Sequence, residues 1–238
     1  MAINVNVVYK TVLSILNKEQ RGYMTPDEFN KIATQVQLEI FEKYFDDLNQ
    51  QLRVPENDSE YANRVKYIQE KIGKFETQSN LALTTGAGAL PAAVHRLGTV
   101  EFVDQLSLPV QAQKSTRHEV NLIRRSKLTA PTKKWPIYYI EDDGSGAANI
   151  KVYPQDIAQV TLEYVRKPLP VVWHFTVGSL GQYIHSTAAP NQDFEIDNTQ
   201  QTEVILNILM YAGIIIRDPQ IVQTAAGLVK QEEMNQKS

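Results

Sequence analysis

The chain has no cysteine among its 238 residues. Disulfides, a thiol nucleophile and cysteine-ligated zinc or iron–sulfur centres are therefore excluded. The same absence suits a particle that passes between reducing and oxidising surroundings. Net charge is small as well: 24 Lys and Arg stand against 27 Asp and Glu, which gives −3 and no overall pull towards nucleic acid or anionic membrane. Histidine is limited to His95, His118, His174 and His185. No two of these have the i, i+4 spacing of a helical zinc site, and only His174 and His185 would come close enough to share a metal, as neighbours on paired strands. No apolar run is long enough to span a bilayer, and residues 2–8 lack the basic stretch of a secretory leader. The expectation is a soluble, unprocessed chain with no membrane contact.

Catalytic motifs are missing too. There is no Gly-x-Ser-x-Gly elbow. Gly86-Ala87-Gly88 lacks the Gly-Lys-Ser/Thr ending of a phosphate loop, and Pro91 follows it where a helix should open, so it reads as a flexible domain junction. The acidic clusters are Asp46-Asp47, on the wet face of a helix, and Glu141-Asp142-Asp143, at a hairpin tip. Neither has the apolar surround that would raise a carboxylate for acid–base work. The second also misses the spacing of a helix–loop–helix calcium site. Neither enzyme, metal nor cofactor is expected.

What is present begins with a long amphipathic helix over 25–52. Thr25 is suited to cap it, Glu28 completes a capping box and Pro26 fits the first helical position, where no N–H is needed. Met24 and Phe29 have the spacing of a hydrophobic staple. Phe29, Ile32, Val36, Ile40, Tyr44, Leu48 and Leu52 recur every three or four residues, and Ala33, Phe41 and Phe45 widen the stripe. Lys31, Gln35, Gln37, Glu39, Glu42, Lys43, Asp46 and Asp47 are assigned to the wet face. Pro55 predicts the stop. A shorter helix over 5–17 precedes it, and Tyr61, Val65, Ile68, Ile72 and Phe75 mark a third.

The pattern changes near residue 80. Short strands are predicted over 99–103, 137–140, 150–153, 160–165, 171–177 and 182–185, with a turn at 142–146 and a short helix over 116–128. Pro168 and Pro170 mark an edge or stiff connector. Helix returns with Asp197 or Asn198 as cap and Val204, Ile205, Ile208, Leu209, Ala212 and Ile215 facing inwards. A second short helix carries Ile221 to Val229, and a polar tail follows. The expected fold is α+β: a helical bundle from both chain ends with a β-rich, sandwich- or barrel-like insertion, divided as 1–80, 81–193 and 194–238.

The strongest charge feature is Lys114, Arg117, Arg124, Arg125, Lys127, Lys133 and Lys134, with Glu119 as the lone acid among them. Such a segment suits contact with phosphates or an acidic partner. Trp135, Tyr138 and Tyr139 follow it, and Pro136 and the strand pattern favour core or interface roles for them over base stacking.

Several stretches taken together resemble a known family: 17–30 (Asn-Lys-Glu-Gln-Arg-Gly-Tyr-Met-Thr-Pro-Asp-Glu-Phe-Asn), 126–132 (Ser-Lys-Leu-Thr-Ala-Pro-Thr), Val152-Tyr153-Pro154, and 160–168 with Trp173 beyond. The combination is similar to virion structural proteins of tailed bacteriophages, especially crAss-like phages. Its order of helices, β region and closing helices resembles head–tail connector (adaptor, tail tubular A-like) rings of short-tailed phages. That resemblance implies a non-enzymatic ring homo-oligomer, commonly a dodecamer. Its partners would be the portal protein, the next tail ring or tail protein and, transiently and non-specifically, genomic DNA in the lumen. It implies a place in the virion, at the head–tail junction or in the tail, after assembly in the host cytoplasm. The competing readings are another virion part, such as a lower tail ring, tail hub or cargo protein, and a nucleic-acid-binding enzyme using the basic segment.

Overall fold

The computed structural model describes residues 2–18, 23–52, 59–103, 108–142, 148–188, 190–216, 223–224, 226–231 and 234. Helix and sheet are both abundant, an α+β chain. It forms two compact units, Met1–Lys71 together with Pro168–Ser238, and Ile72–Lys167. The chain opens with β1 (Ala2–Ile3), α1 (Val5–Lys18), α2 (Pro26–Gln51) and α3 (Ser59–Gly73). The second unit then holds β2 (Glu76–Ala82), β3 (Ala87–Ala89), β4 (Val94–Val103), β5 (Pro109–Gln111) and β6 (Gln113–Lys114). After α4 (Arg117–Ile123) come β7 (Ile137–Asp142), β8 (Ala148–Tyr153) and β9 (Gln159–Arg166). The first unit resumes with β10 (Phe175–Val177), β11 (Tyr183–His185), β12 (Phe194–Asp197), a 3-10 turn (Asn198–Gln200) and α5 (Gln201–Ile216).

In the first unit α2 starts as its sequence dictates. The Thr25 hydroxyl accepts from the Glu28 N–H, the Glu28 carboxylate accepts from the Thr25 N–H at 2.9 Å, and Met24 and Phe29 are both buried. Its apolar stripe is buried from Phe29 to Phe45, then fades: Leu48 is half-buried and Leu52 exposed. The stop assigned to Pro55 lies outside the described residues. Helices α1 and α2 each pack on α5, whose Val204, Ile208, Leu209 and Ala212 are buried. Between α2 and α5 lies a buried polar set. Glu203 accepts from Lys43 at 2.8 Å and from Gln200 at 3.1 Å, while the Tyr44 hydroxyl donates to Gln200. Burial of Glu203 is tolerable because both carboxylate oxygens are bonded. Strand β1 pairs antiparallel with β12, and Asp197 precedes the turn without a side-chain capping bond. Of the second closing helix, 223–224 and 226–231 are helical; its other positions lie outside the described residues.

Gln37 overturns its assignment to the wet face, being 1% exposed. Its amide donates to the Leu169 carbonyl at 2.7 Å and accepts from the Glu195 N–H at 2.9 Å. One turn earlier Thr34 accepts from the Val171 N–H, and Asn30 bonds both the N–H and the carbonyl of Trp173. Three polar side chains at i, i+4 and i+7 of α2 therefore act as a substitute strand for the extended backbone of 169–173. This ladder puts residues 168–193, assigned from sequence to the β-rich region, in the first unit. The strands expected over 171–177 and 182–185 shrink to the β10–β11 hairpin.

The second unit holds two four-stranded sheets, β2-β9-β4-β5 and β3-β8-β7-β6, antiparallel except for the β6–β7 pair. Both feed one core: Val100 and Phe102 of β4 and Val160, Leu162 and Tyr164 of β9 meet Tyr138 of β7 and Ile150 and Val152 of β8. The third helical stripe ends at Gly73, short of the expected Phe75. There the Phe75 carbonyl accepts from the Arg166 N–H, and β2 begins at Glu76. Gly86-Ala87-Gly88 is no flexible junction. Thr84 and Ala87 exchange backbone bonds of 2.8 and 3.0 Å, and Gly86 (φ +75°) accepts from the Val152 N–H at 2.7 Å, so the segment is a tight turn into β3. Glu141 and Asp142 belong to β7 and lie opposite Asn149 and Ala148, not at a tip; the turn itself lies outside the described residues. Among those residues no helix is long and apolar enough to cross a membrane.

Candidate functional site

All seven basic residues singled out from the sequence lie in the second unit, on or after β6. Lys114 ends β6, and helix α4, which the Thr116–Glu119 capping box opens, carries Arg117. Its Val120 is buried with Ile137, Tyr139 and Tyr153, which fixes the helix on β7 and β8. The segment that follows is held by its own backbone. Arg125 N–H donates to Leu122, Ala130 N–H to Ser126 and Trp135 N–H to Thr132, and the Thr129 hydroxyl bonds the Ile123 carbonyl. The cations of this segment therefore project from an ordered loop.

Three of them are engaged within the molecule. Arg117 meets Glu141 at 2.8 Å, and Lys151 takes the other Glu141 oxygen at 2.6 Å. The hydrogen bond from Lys151, aided by Arg117, holds the Glu141 carboxyl below the usual carboxylate range. It is the anion shared by these two ion pairs. Arg124 stacks 4.3 Å from the centre of the Tyr153 ring and donates to its hydroxyl. Lys133 pairs with Asp156 at 3.0 Å. Among the described residues Lys114, Arg125, Lys127 and Lys134 have no ion-pair partner, and all four are exposed. Lys114 lines an open groove of about 500 Å³ with Gly98, Thr99, Gln113 and Trp135.

The aromatic residues divide. Tyr138 and Tyr139 are buried, whereas Trp135 is 73% exposed beside the cations and has no core role. Leu128, 95% exposed, and Leu122 share this stretch of surface, and the sequence reading passed over both. Their signal was available: Leu128 sits in Ser126-Lys127-Leu128-Thr129, where neither a helical nor a strand period gives an apolar residue a buried side. Free cations along a stretch of chain that also exposes an indole and two leucines suit a phosphate-bearing or acidic partner that also offers apolar area.

His174 and His185 are not paired with each other in the strand register. His118 is exposed on α4. His174 accepts from the Ser186 N–H through its carbonyl, and the strand register puts Phe175, not His174, opposite His185. The His185 ring instead lies 5.6 Å from Trp173. No three His, Asp or Glu side chains among the described residues gather as a metal site would require. Comparison with protein-family models and with curated proteins returns no match for this chain.

Proposed function

We propose that the chain is a structural subunit of a phage head–tail connector ring, an adaptor that joins the portal to the tail and surrounds the DNA exit channel. The observation that carries this reading is the division of the chain. Both ends belong to one helix-rich unit, in which we take α1, α2 and α5 as a helical bundle, and 72–167 form a separate unit of two sheets. That is the layout the sequence resemblance implies. A ring subunit must meet identical neighbours through two different surfaces, and exposed apolar side chains are available for this on α1 and on the β10–β11 hairpin. The free cations near Trp135 suit transient contact with passing phosphates.

The test is purification of the full chain with the portal protein of the same genome, followed by negative-stain microscopy. A complex carrying an extra ring under the portal is the expected result. A stable monomer that ignores the portal overturns the reading.

A further inference from the structure

One extended stretch, 109–115, serves both sheets of the second unit. Its first half is β5, paired with residues 101–103 of β4, and the Ala112 N–H still donates to the Val100 carbonyl at 2.8 Å. The stretch then changes sheets. The Gln113 N–H donates to Pro136 at 2.9 Å and the Ser115 N–H to Tyr138 at 2.8 Å, and β6 runs parallel to β7. With Glu101 opposite Gln111, an unbroken register would set Thr99 opposite Gln113 and Gly98 opposite Lys114. Those pairs do not form, so the two strands part there. A bulge bends β4 at the same place, where Leu97 to Val100 takes three steps against two of β9.

The gap between them is the groove of about 500 Å³, lined by residues 97–100, 111–114 and 135–138. Side chains of a strand alternate between its two faces. Four consecutive residues from each of the two parted strands therefore meet the groove edge-on, along the backbone. Among the described residues no strand pairs with the side of Leu97–Thr99 that faces away from β9, and β6 ends its own sheet. Gln113 and Ser115 donate to β7, so the alternation of strand bonding turns the N–H and C=O of Lys114 back towards the groove. Open strand edges of this kind are templates for a further strand.

The walls define the chemistry of that strand. Lys114 is the one charged residue among the twelve, and no Asp or Glu lines the groove, although the chain has 27 of them. Lys134, exposed and without an ion pair, precedes Trp135. Trp135 itself is 73% exposed and offers apolar area at one wall.

We infer that this groove is a vacant strand position, which takes an extended acidic peptide segment of a partner protein by β-augmentation of β4. The backbone of the segment bonds the open edge at Leu97–Thr99, a carboxylate meets Lys114, and an apolar side chain covers Trp135. Seated there, it lies between β4 and β6 and links the two sheets on the side where they have separated. The inference stands apart from the connector role, which the portal co-purification tests.

The chain has two tryptophans, and Trp173 is 3% exposed, so a change in emission on peptide addition reports on Trp135. A displayed library of random dodecapeptides is panned on the full-length protein, and the enriched peptides are synthesised and titrated by fluorescence. The expected peptides carry Asp or Glu among alternating β-branched residues and shift the Trp135 emission saturably. N-methylation at alternate backbone nitrogens, which removes the bonds to an edge, is expected to weaken them about tenfold or more in one of the two phases. Lys114→Glu, at an exposed position, is expected to weaken them about tenfold and to enrich Lys or Arg peptides in its own panning. Peptides that bind equally after N-methylation in both phases are held by side chains alone, and they overturn the strand reading. So does a panning from which no peptide alters Trp135. If single-stranded oligothymidine quenches Trp135 where no peptide does, the groove belongs to nucleic acid. If Trp135 shifts on self-association and no peptide reverses it, a second copy fills the groove, and the partner strand is overturned.

Discussion

Gln37 occupies a core position on α2 with an amide, in line with Phe29, Ala33, Phe41 and Phe45 at steps of four. Leucine would fill similar space but would leave the Leu169 carbonyl and the Glu195 N–H, both bonded to Gln37, without partners. Unsatisfied buried groups cost more than a bond contributes, so Gln37→Leu is expected to lower stability by about 2–4 kcal/mol. A urea titration of both proteins measures this as a fall in midpoint at constant slope. The row of five is visible in the sequence. Its one polar member was assigned outwards because side-chain type outweighed position, and the extended backbone that needs the amide lies more than a hundred residues away. Polar residues of this kind are hard to place until their distant partner is known. The same holds for Glu203, whose burial depends on Lys43 of α2.

Local signals and distant ones separate clearly at the scale of elements. The start of α2 was readable because a capping box involves four consecutive residues. Glu28 is held below its ordinary carboxylate value chiefly by the Thr25 backbone N–H, then by the Thr25 hydroxyl. A carboxyl depressed in the folded state adds stability above its unfolded value and loses it as pH falls through the folded one. The α2 contribution is therefore present at neutral pH and disappears in acid. Glu28→Gln keeps an acceptor but cannot titrate, so the melting temperature of this variant should fall less steeply than wild type below about pH 4.5, the ordinary value. The Gly86 turn shows the opposite case. Its glycines suggested freedom, whereas the constraint comes from β8: a Cβ on Gly86 would stand 2.5 Å from the Val152 carbonyl oxygen, at a φ that L-residues avoid. Gly86→Ala should cost about 2–4 kcal/mol from strain and clash together, read by thermal melts. Strands β3, β5 and β6, two or three residues long, escaped the sequence reading for a related reason. They have too few residues to show a period, and they exist because a longer strand pairs with them.

For the molecule as a whole, a net charge of −3 conceals the local excess of positive charge that follows β6. The sequence located this excess correctly but could not show which cations were already engaged. Arg117, Arg124 and Lys133 are tied to Glu141, Tyr153 and Asp156, so they are poor candidates to exchange partners for a passing polyanion. Lys114, Arg125, Lys127 and Lys134 have no such ties, and any phosphate contact should depend on them. In low salt, duplex DNA or heparin should retain the protein weakly. Retention should decline with log[salt] at a slope of about −0.9 for each phosphate neutralised. Replacing those four by Ala should flatten the slope by up to about 3–4 units, since each contact contributes about 0.9. Replacing Arg117 and Lys133 instead should leave the slope nearly intact and remove only exposed pairs worth about 0–1 kcal/mol each. Equal slopes for wild type and the fourfold variant would show that these cations bind no phosphate. The surface around Leu128 and Trp135 would then have to be read as a protein contact in which the charges serve an acidic partner.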